Sequence, residues 1–450
     1  MKVSLALLIS SLLLFAAGCG GTPAVSLNSL YTKQQPPTLE PGIEGKWLPE
    51  EASSAEARNL DVRNDDSGCY QANAQKPAEK DDNPSGPELY SICLVRLQDK
   101  LFFDSELLTK QFGTESVSPN DLGNGIVRGH VIGQIWLLKD MLRVARLDSD
   151  WIEKNTPENF HVRNGSAAII TASTTDLRKL VLEHSNDDSI WGNFFYLCRP
   201  DIDCVSRATE DRLARYPNDA KTLQQAAVFY LSRGDSDKAV ALMQHAVETA
   251  PEQELNHAYL ALALASKRDF AGVRRELLLA QKLDKDDPES YADYIGVSYY
   301  LEGNFQEASR VFSHGHATEK EPSAQSVLWN YLSLARAGHR KEAEAFLSRE
   351  TAHFTGSAED NLLLLEAAGH VTNPPWADFA HPKDQEDESV VFLYAENCLA
   401  QGDLKSARNA FEHIINKQDS DIISQVMSKL ELARLGFQVS MKRRRRSSTS

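Results

Sequence analysis

The second half of the chain repeats one pattern at a fixed interval. Pro217 and Pro251 are 34 residues apart, and a helix-like stretch from Ala220 to Leu231 lies between them. Gly234 fits the left-handed cap that ends a first helix, and the small Ala239 lets a second helix approach it closely. A unit of this kind cannot bury its apolar face alone, so its neighbours must stack on it.

The same marks recur in four more units, the third of them offset by one residue from strict spacing. They are Ala261, Phe270 and Ala280; Gly296, Tyr299, Gly303, Phe305, Ala308 and Phe312; Trp329, Leu334, Gly338 and Ala343; and Tyr394, Ala395, Gly402, Asp403, Ala407 and Phe411. This pattern resembles the tetratricopeptide repeat (TPR). The resemblance implies an all-α TPR-type solenoid over 205–436, with Asp421 to Leu435 as a final capping helix.

The TPR resemblance also implies where a partner docks, on the groove formed by the first helix of each unit. A mixed polar and apolar surface there suits a peptide or protein segment. Gln224 and Val228 stand where a chaperone-binding carboxylate clamp needs Lys and Asn, so that partner class is not indicated. Any one of these residues could instead be solvated or pack on a neighbour. The expected groove residues are Lys221, Gln224, Val228, Leu255, Ala258, Leu262, Asp293, Val297, Tyr300, Gln325, Leu328 and Arg336.

The N-terminus carries an export signal. Lys2 supplies a positive charge, and the apolar run from Val3 to Ala17 is too short for a membrane span but suits a secretory signal. The run ends in Ala16-Ala17-Gly18-Cys19, which resembles the lipobox of bacterial lipoproteins. An ordinary signal peptide followed by a chance cysteine is the alternative interpretation.

The lipobox resemblance implies that residues 1–18 are removed and that Cys19 carries a diacylglycerol and a third acyl chain. Several buried acyl chains make such an anchor effectively permanent. Gly20 follows the cysteine where Asp would indicate retention in the inner membrane. We therefore expect an outer-membrane lipoprotein that faces the periplasm, with residues 19–41 as a proline-rich tether.

Residues 42–192 have the alternating patterns of a β-rich domain. Lys139-Asp140 predicts a tight hairpin, Thr175 to His184 predicts a short helix, and the polar residues 50–86 predict a long mobile loop. The predicted strands are Leu89 to Leu97, Leu101 to Leu108, Ile126 to Leu138, Met141 to Leu147 and Ala167 to Ala172.

A run of strands of this kind favours a small barrel or a curled sheet, because closure hides the strand edges. Gly45-Lys46-Trp47 resembles the Gly-X-Trp of lipocalin-like barrels, where the Trp plugs one end; the alternative is that Trp47 opens a strand and packs in a core. If the barrel has a cavity, we expect its lining among Val127, Val131, Ile135 and Leu137.

Six cysteines are present, and five remain once Cys19 is assigned to the lipid anchor. In an oxidising compartment the short spacing of Cys198 and Cys204 favours a disulfide. Cys69 and Cys93 are then the natural second pair, with Cys398 left over. Binding of a metal by these scattered cysteines is the alternative, but no histidine stands beside them at ligand spacing.

Recognised catalytic patterns are missing from the sequence: it contains no phosphate-binding Gly-X-X-X-X-Gly-Lys, no Gly-X-Ser-X-Gly and no His-Glu-X-X-His. No catalytic residue, cofactor, metal site or small-molecule substrate is therefore assigned. The net charge of −16 argues against general affinity for nucleic acid. Residues 437–450 form a basic tail with Lys442 to Arg446, which we expect to be disordered; the alternative is a weak contact with phosphate-bearing lipids or acidic polymers.

These patterns predict a multidomain, lipid-anchored adaptor that binds a protein segment through its TPR groove. A small-ligand carrier or sensor built on the β-rich domain, with the array as its output, is the alternative. An empty apolar cavity of a few hundred cubic ångströms in the barrel would favour the carrier.

Overall fold

The structure is a computed structural model. It describes residues 23–50, 59–75, 88–112, 115–117, 129–164, 167–192, 194–285, 290–318, 323–354, 364–370, 387–417 and 420–436. The predicted signal peptide, the predicted lipidation site Cys19, Val127 and the basic tail over 437–450 lie outside these residues. Two compact units divide the chain between Asp211 and Arg212.

The first unit is built mainly of β-strands. Its strands are β1 (Val25–Ser26), β2 (Gly45–Pro49), β3 (Asn59–Asn64), β4 (Tyr70–Gln75), β5 (Glu88–Leu97), β6 (Lys100–Phe112), β7 (Glu115–Val117), β8 (His130–Leu138), β9 (Met141–Arg146), β10 (His161–Asn164), β11 (Ala167–Ile170) and β12 (Phe195–Cys198). Its helices are α1 (Ser149–Asn155), α2 (Thr174–Glu183) and the first part of α3 (Cys204–Arg215).

Eight antiparallel strands close into an up-and-down barrel. They follow the order β2-β3-β4-β5-β6-β8-β9-β12, and pairing of β12 with β2 completes the ring. The small barrel that the sequence favoured is confirmed. Closure gives each of these eight strands a paired neighbour on both sides. Pairing of this kind hides strand edges that could otherwise pair with another chain.

Side chains of the barrel strands alternate between two separate cores. On β8, Val131 and Ile135 point inward, where they join the interior core around Trp47, while Ile132 packs outside the barrel. The outer core holds Ile132 together with Ile152 of α1 and Leu177 of α2. The period of two along each strand is the cause, because successive side chains of a strand point to opposite faces.

The predicted tether differs from the structure after its first residues. Val25 and Ser26 form β1, which pairs with β8 on one side and β11 on the other. Leu30 is fully buried in the outer core, and its backbone N–H donates to Asp104 Oδ2 at 2.6 Å. Residues from 23 onward therefore belong to the first unit. The two residues of β1 are too few to show an alternating pattern in the sequence, and their hydrogen bonds to β8 and β11 make them a strand.

The predicted mobile loop over 50–86 is wrong where the structure describes it. Residues 59–64 and 70–75 form β3 and β4, a hairpin that supplies Leu60 and Val62 to the barrel interior. The predicted hairpin at Lys139-Asp140 is confirmed, with Lys139 at φ 55° between β8 and β9. Four of the predicted strands coincide with β5, β6, β9 and β11, and the fifth, Ile126 to Leu138, with β8 in its described part.

Two disulfides connect elements within the first unit. Cys69, just before β4, is bonded to Cys93 of β5, and Cys198 at the end of β12 is bonded to Cys204 at the start of α3. Cys398 carries a free, buried thiol. Beyond the second disulfide, Asp211 Oδ2 of α3 accepts hydrogen bonds from Tyr196 Oη at 2.9 Å and Arg143 Nη1 at 3.0 Å. These bonds tie the first part of α3 to β9 and β12.

The second unit is a helical array that begins within α3. Its remaining helices are α4 (Ala220–Ser232), α5 (Ser236–Thr249), α6 (Glu254–Ser266), α7 (Phe270–Leu283), α8 (Ser290–Glu302), α9 (Phe305–Thr318), α10 (Ala324–Arg336), α11 (Arg340–His353), α12 (Glu388–Gln401), α13 (Leu404–Asn416) and α14 (Ile422–Arg434). The pairs α4/α5, α6/α7, α8/α9, α10/α11 and α12/α13 are the five units that the sequence predicts.

One short turn joins the two helices of most units. Gly234 has φ 82°, a left-handed conformation that an L side chain rarely adopts, and Asp235 then caps α5 by accepting from Lys238 N at 3.1 Å. The same arrangement ends α12 at Gly402 and caps α13 at Asp403. Glycine followed by a capping residue thus reverses the chain within two residues.

Candidate protein-binding face

The first helices of the units pack on one another along one side of the array. Three of the four successive pairs are in contact, α4 with α6, α8 with α10, and α10 with α12. The five first helices (α4, α6, α8, α10 and α12) together make up the inner face. It is the surface on which the sequence places the groove residues.

Four of the expected groove residues are exposed: Lys221, Leu255, Asp293 and Gln325. Two of the exposed positions on this face are apolar, because Leu255 is 49% accessible and the neighbouring Tyr294 is 46% accessible. Gln325 Nε2 also donates a hydrogen bond to Ser389 Oγ of α12 at 3.1 Å. The inner face therefore offers both charged and apolar contacts to a bound segment.

Gln224 has a packing role in the structure. Its Nε2 donates to Asn256 Oδ1 at 2.8 Å, and the fully buried Asn256 in turn donates to the carbonyl oxygens of Ala246 and Ala250. This chain of hydrogen bonds ties α4 to α6 and to the end of α5. Buried amides usually satisfy backbone groups in this way, so Gln224 contributes to the array as well as to its half-buried surface.

Tyr300 is not an accessible groove residue, because it is fully buried. Its hydroxyl donates to Glu396 Oε2 of α12 at 2.7 Å, and Arg336 Nη1 of α10 donates to the same oxygen at 2.9 Å. Burial is the main cause that raises the pKa of Tyr300 well above its usual value, with the nearby Glu396 carboxylate adding to it. Two predicted groove residues therefore meet at a buried carboxylate that the sequence analysis did not identify.

The last helix adds a second buried ion pair to this cluster. Glu431 of α14 is fully buried and accepts from the guanidinium of Arg434, one turn later. Burial raises the pKa of Glu431, and the Glu396 carboxylate raises it further, while Arg434 and Arg336 oppose both effects. The pKa of Glu396 is likewise raised by burial. Charges inside an apolar stretch, such as Leu430-Glu431-Leu432, are the sequence signal that could have revealed this site.

Helix α14 does not stack only on the end of the array. It packs on α13 and also contacts α4, α6, α8 and α12, four of the five helices of the inner face. The sequence predicts this helix correctly but places it as a terminal cap. A single sequence does not reveal this position, because it depends on contacts with residues up to two hundred positions away.

The barrel contains a cavity of about 60 Å³. Ligand pockets measure roughly 300–1,000 Å³, so this space has room for a few water molecules and is smaller than a carrier needs. Val131 and Ile135 line it as predicted, and Leu137 lies outside it, 39% exposed. Trp47 is buried at its wall, with the Arg199 guanidinium 3.8 Å from its ring centroid.

Arg146 is a charged group among the apolar side chains of this cavity. Its Nη1 has no hydrogen-bond partner among the described residues, and burial lowers its pKa to about 10. The Phe195 ring centroid lies 5.9 Å from the guanidinium, which makes a weak cation–π contact with it. The guanidinium stays protonated at neutral pH, so it is an electrostatic cost that water in the cavity can reduce.

Metal binding and membrane spanning each need a recognisable arrangement of residues. Among the residues that the structure describes, no cluster of three His, Cys, Asp or Glu side chains is arranged to bind a metal ion. No described helix combines the length and the apolar character that a bilayer-spanning helix needs.

Comparison with known proteins supports a TPR-like fold for the array. No family model matches the chain. Interferon-induced protein with tetratricopeptide repeats 2 of Cricetulus griseus is 26% identical over 135 residues, which cover 26% of this chain and 29% of that protein. The chain thus spans less than a third of the length of this curated relative.

Three solved structures show low similarity. The MamA protein has a TM-score of 0.30 at 15% identity, covering 44% of this chain and 97% of that one. A tetratricopeptide repeat protein from Parabacteroides merdae ATCC 43184 has a TM-score of 0.32 at 12% identity, covering 50% and 77%. PilW, a type IV pilus biogenesis factor, has a TM-score of 0.26 at 18% identity, covering 46% and 98%.

Proposed function

We propose that the chain is an envelope-anchored scaffold that binds a helical or extended segment of a partner protein on the inner face of its array. The observation that carries this proposal is the packing of that face: three of the four successive pairs of first helices are in contact, and charged and apolar positions on these helices are exposed. Repeats with this geometry form extended binding surfaces. A curated relative that contains tetratricopeptide repeats supports the same assignment.

Photo-crosslinking tests the use of the inner face. A crosslinking amino acid at Asp293 or Gln325, both exposed on first helices, is expected to capture the same discrete partner in cells. The matched control carries it at Gln244, an exposed position on the second helix α5, where no capture is expected. Equal capture at Gln244, or different products at the two inner positions, would contradict binding on this face.

The anchor is the second part of the proposal and has its own test. The lipobox-like residues before Cys19 support acylation of its thiol and retention at the outer membrane, facing the periplasm. Cys19→Ala is expected to leave an unprocessed, unacylated precursor that no longer fractionates as the mature lipoprotein does, because no acyl chains remain to hold it. Mass spectrometry of the wild-type N-terminus and membrane fractionation of both proteins measure this. Unchanged fractionation together with an acyl-free wild type would disprove the anchor.

A further inference from the structure

The last helix that the structure describes, α14, occupies the face that the proposed function assigns to a partner. Helix α14 contacts α4, α6, α8 and α12, and Ile422 packs against both hydrophobic cores of the array. The contact area therefore extends from the first unit to the fifth. An amphipathic helix laid into a groove of helices is a common mode of protein recognition.

The burial of α14 differs from that of a terminal cap. A cap of a repeat array presents a polar outer face to solvent. Within Ile422–Arg434, only Ile423 and Ala433 are exposed, and both are apolar. Residues on several sides of the helix are buried instead, among them Ser424, Val426 and Leu430. Such a helix is enclosed by its surroundings in the way that a bound segment is.

Small side chains allow this close fit. Ser424 and Ser428 are four residues apart, so they lie on the same side of the helix, and both are buried. Their size lets the backbone of α14 approach its neighbours. Glu431 lies three residues after Ser428 on the same side of the helix, and its fully buried carboxylate pairs with Arg434. From its N-terminal to its C-terminal end, this side of α14 therefore carries two serines and then a glutamate.

The contact is incompletely satisfied. Among the described residues, three atoms of α14 are buried without a hydrogen-bond partner: Ser428 Oγ, Lys429 Nζ and Glu431 Oε1. On the facing helix α12, Glu396 Oε1 is in the same condition. A buried polar atom without a partner weakens the structure that contains it. The three α14 atoms can bond to water once the helix leaves the array, so their burial favours release of α14.

We propose that α14 is a displaceable internal ligand of the inner face, and that the partner is a helix of the same chemistry. That partner helix carries two small residues four positions apart and a carboxylate three positions after the second of them, as Ser424, Ser428 and Glu431 do in α14. This inference rests on the proposed function, since it takes the inner face to be the partner's binding site. Binding then requires that α14 leave, so the free protein is autoinhibited.

Peptide exchange tests the proposal in the full chain. A protease site placed between Lys417 and Ser420 lets α14 be separated from the array after folding. A fluorescent peptide of residues 420–436 should then bind the cut protein saturably. In the uncut chain, the attached α14 competes at an effective concentration on the order of millimolar. A peptide with a Kd near 10 μM should therefore bind the uncut chain about 100-fold more weakly.

Two matched variant peptides test whether the peptide binds at the site that α14 occupies. Ser428→Gln enlarges a fully buried side chain and should abolish binding, whereas Ala433→Gln introduces glutamine at an exposed position and should preserve binding. Equal binding of the two peptides, or equal affinity for cut and uncut protein, would overturn the proposal. So would a cut array that retains its fold but exchanges no peptide, or one that unfolds once α14 has gone.

Hydrogen exchange in the uncut chain gives an independent measurement. If α14 leaves the inner face while the array stays folded, its amides should exchange faster than those of α12 and α13. Exchange of all three helices at one rate would mean that α14 is a permanent part of the fold. Neither measurement uses a partner. If the peptide replaces α14 but crosslinking captures no partner on the inner face, the proposed function is wrong, whereas the inference that the inner face binds a displaceable helix is still supported.

Discussion

At the scale of single residues, the turn between helices shows how backbone geometry limits the sequence. Four units place glycine at the left-handed position, with φ between 82° and 92°, and the second unit places Arg268 there with φ 64°. For an L residue that conformation costs about 1–2 kcal/mol. The second turn therefore stores strain that glycine avoids at the other four.

Arg268→Gly should stabilise the array. The substitution removes the conformational strain, but glycine also increases the conformational entropy of the unfolded chain, which opposes the gain. The net increase in the free energy of unfolding is up to about 1 kcal/mol. Chemical denaturation followed by helical circular dichroism measures it. The reverse change, Gly303→Ala, is the matched control and should cost about 1 kcal/mol from strain alone, since its added Cβ meets no atom within 4 Å. A destabilised Arg268→Gly protein would contradict this account.

Burial of a carboxylate predicts a dependence of stability on pH. Glu366 is buried and accepts hydrogen bonds from Asn397 Nδ2 at 3.3 and 3.2 Å, and burial raises its pKa from 4.5 to about 7. The folded state therefore favours the protonated acid. This contribution to stability is complete below about pH 4.5 and is lost as the pH rises to about 7. Between pH 5 and 8 the loss amounts to about 2 kcal/mol.

Glu366→Gln should remove this contribution, because an amide of the same shape carries no charge at any of these pH values. Relative to wild type, the variant should gain about 2 kcal/mol of unfolding free energy on going from pH 5 to 8. Its amide can also donate to Asn397 Oδ1, which has no partner among the described residues. Glu342→Gln, on an exposed position of α11, is the control. A difference between variant and wild type that is the same at both pH values would refute the assignment.

At the scale of elements, the helices follow from local sequence more directly than the strands do. The first four helix pairs repeat their turn and small-residue positions at intervals of 34 or 35 residues, and the fifth pair carries the same marks after a longer interval, so five units reinforce one signal. Strands β3 and β4 gave no such signal, since Leu60, Val62, Ala72 and Ala74 alternate with polar residues over only six positions each. Their pairing in the barrel, which a single sequence does not display, makes them strands.

Ala239→Leu tests the register of the first unit. Ala239 is fully buried where α5 lies against α4, and leucine would add three carbon atoms to a filled contact. Overpacking of this kind costs about 1–3 kcal/mol. Helical circular dichroism should show a lower unfolding temperature for the array. Ala241→Leu, two residues further along on the exposed side of the same helix, should leave it nearly unchanged. If Ala239→Leu left the unfolding temperature unchanged, the register assigned to the first unit would be wrong.

At the scale of the whole molecule, the candidate site is where sequence reasoning fell short. Lys221, Asp293 and Gln325 were predicted and are exposed on the inner face, while Tyr300 was predicted and is buried. Glu396, Glu431 and Arg434 were missed. The reason is physical: a repeat pattern defines each unit and its neighbours, but α14 returns across four units, and only the folded array determines where it lies.

Each unit has its own hydrophobic core, so a substitution that destabilises one unit should leave the unfolding transition of the other unchanged. Gly133 of β8 allows a close approach in the barrel: an added Cβ would lie 2.2 Å from Ala145 O and 2.2 Å from the Phe103 ring. Gly133→Ala should therefore destabilise the barrel by at least the roughly 1–3 kcal/mol that is usual for overpacking. Gly192→Ala is the control, since its Cβ would come no closer than 3.6 Å to its neighbours.

Fluorescence reports mainly on the barrel unit, because four of the six tryptophans lie in it, namely Trp47, Trp136, Trp151 and Trp191. Gly133→Ala should lower the fluorescence transition and leave the helical transition in place, whereas Ala239→Leu should do the opposite. In the double variant the two shifts should add, as they do for distant sites without shared partners. If either change moved both transitions together, the chain would unfold as one cooperative body, and the division into two independently folded units would be wrong.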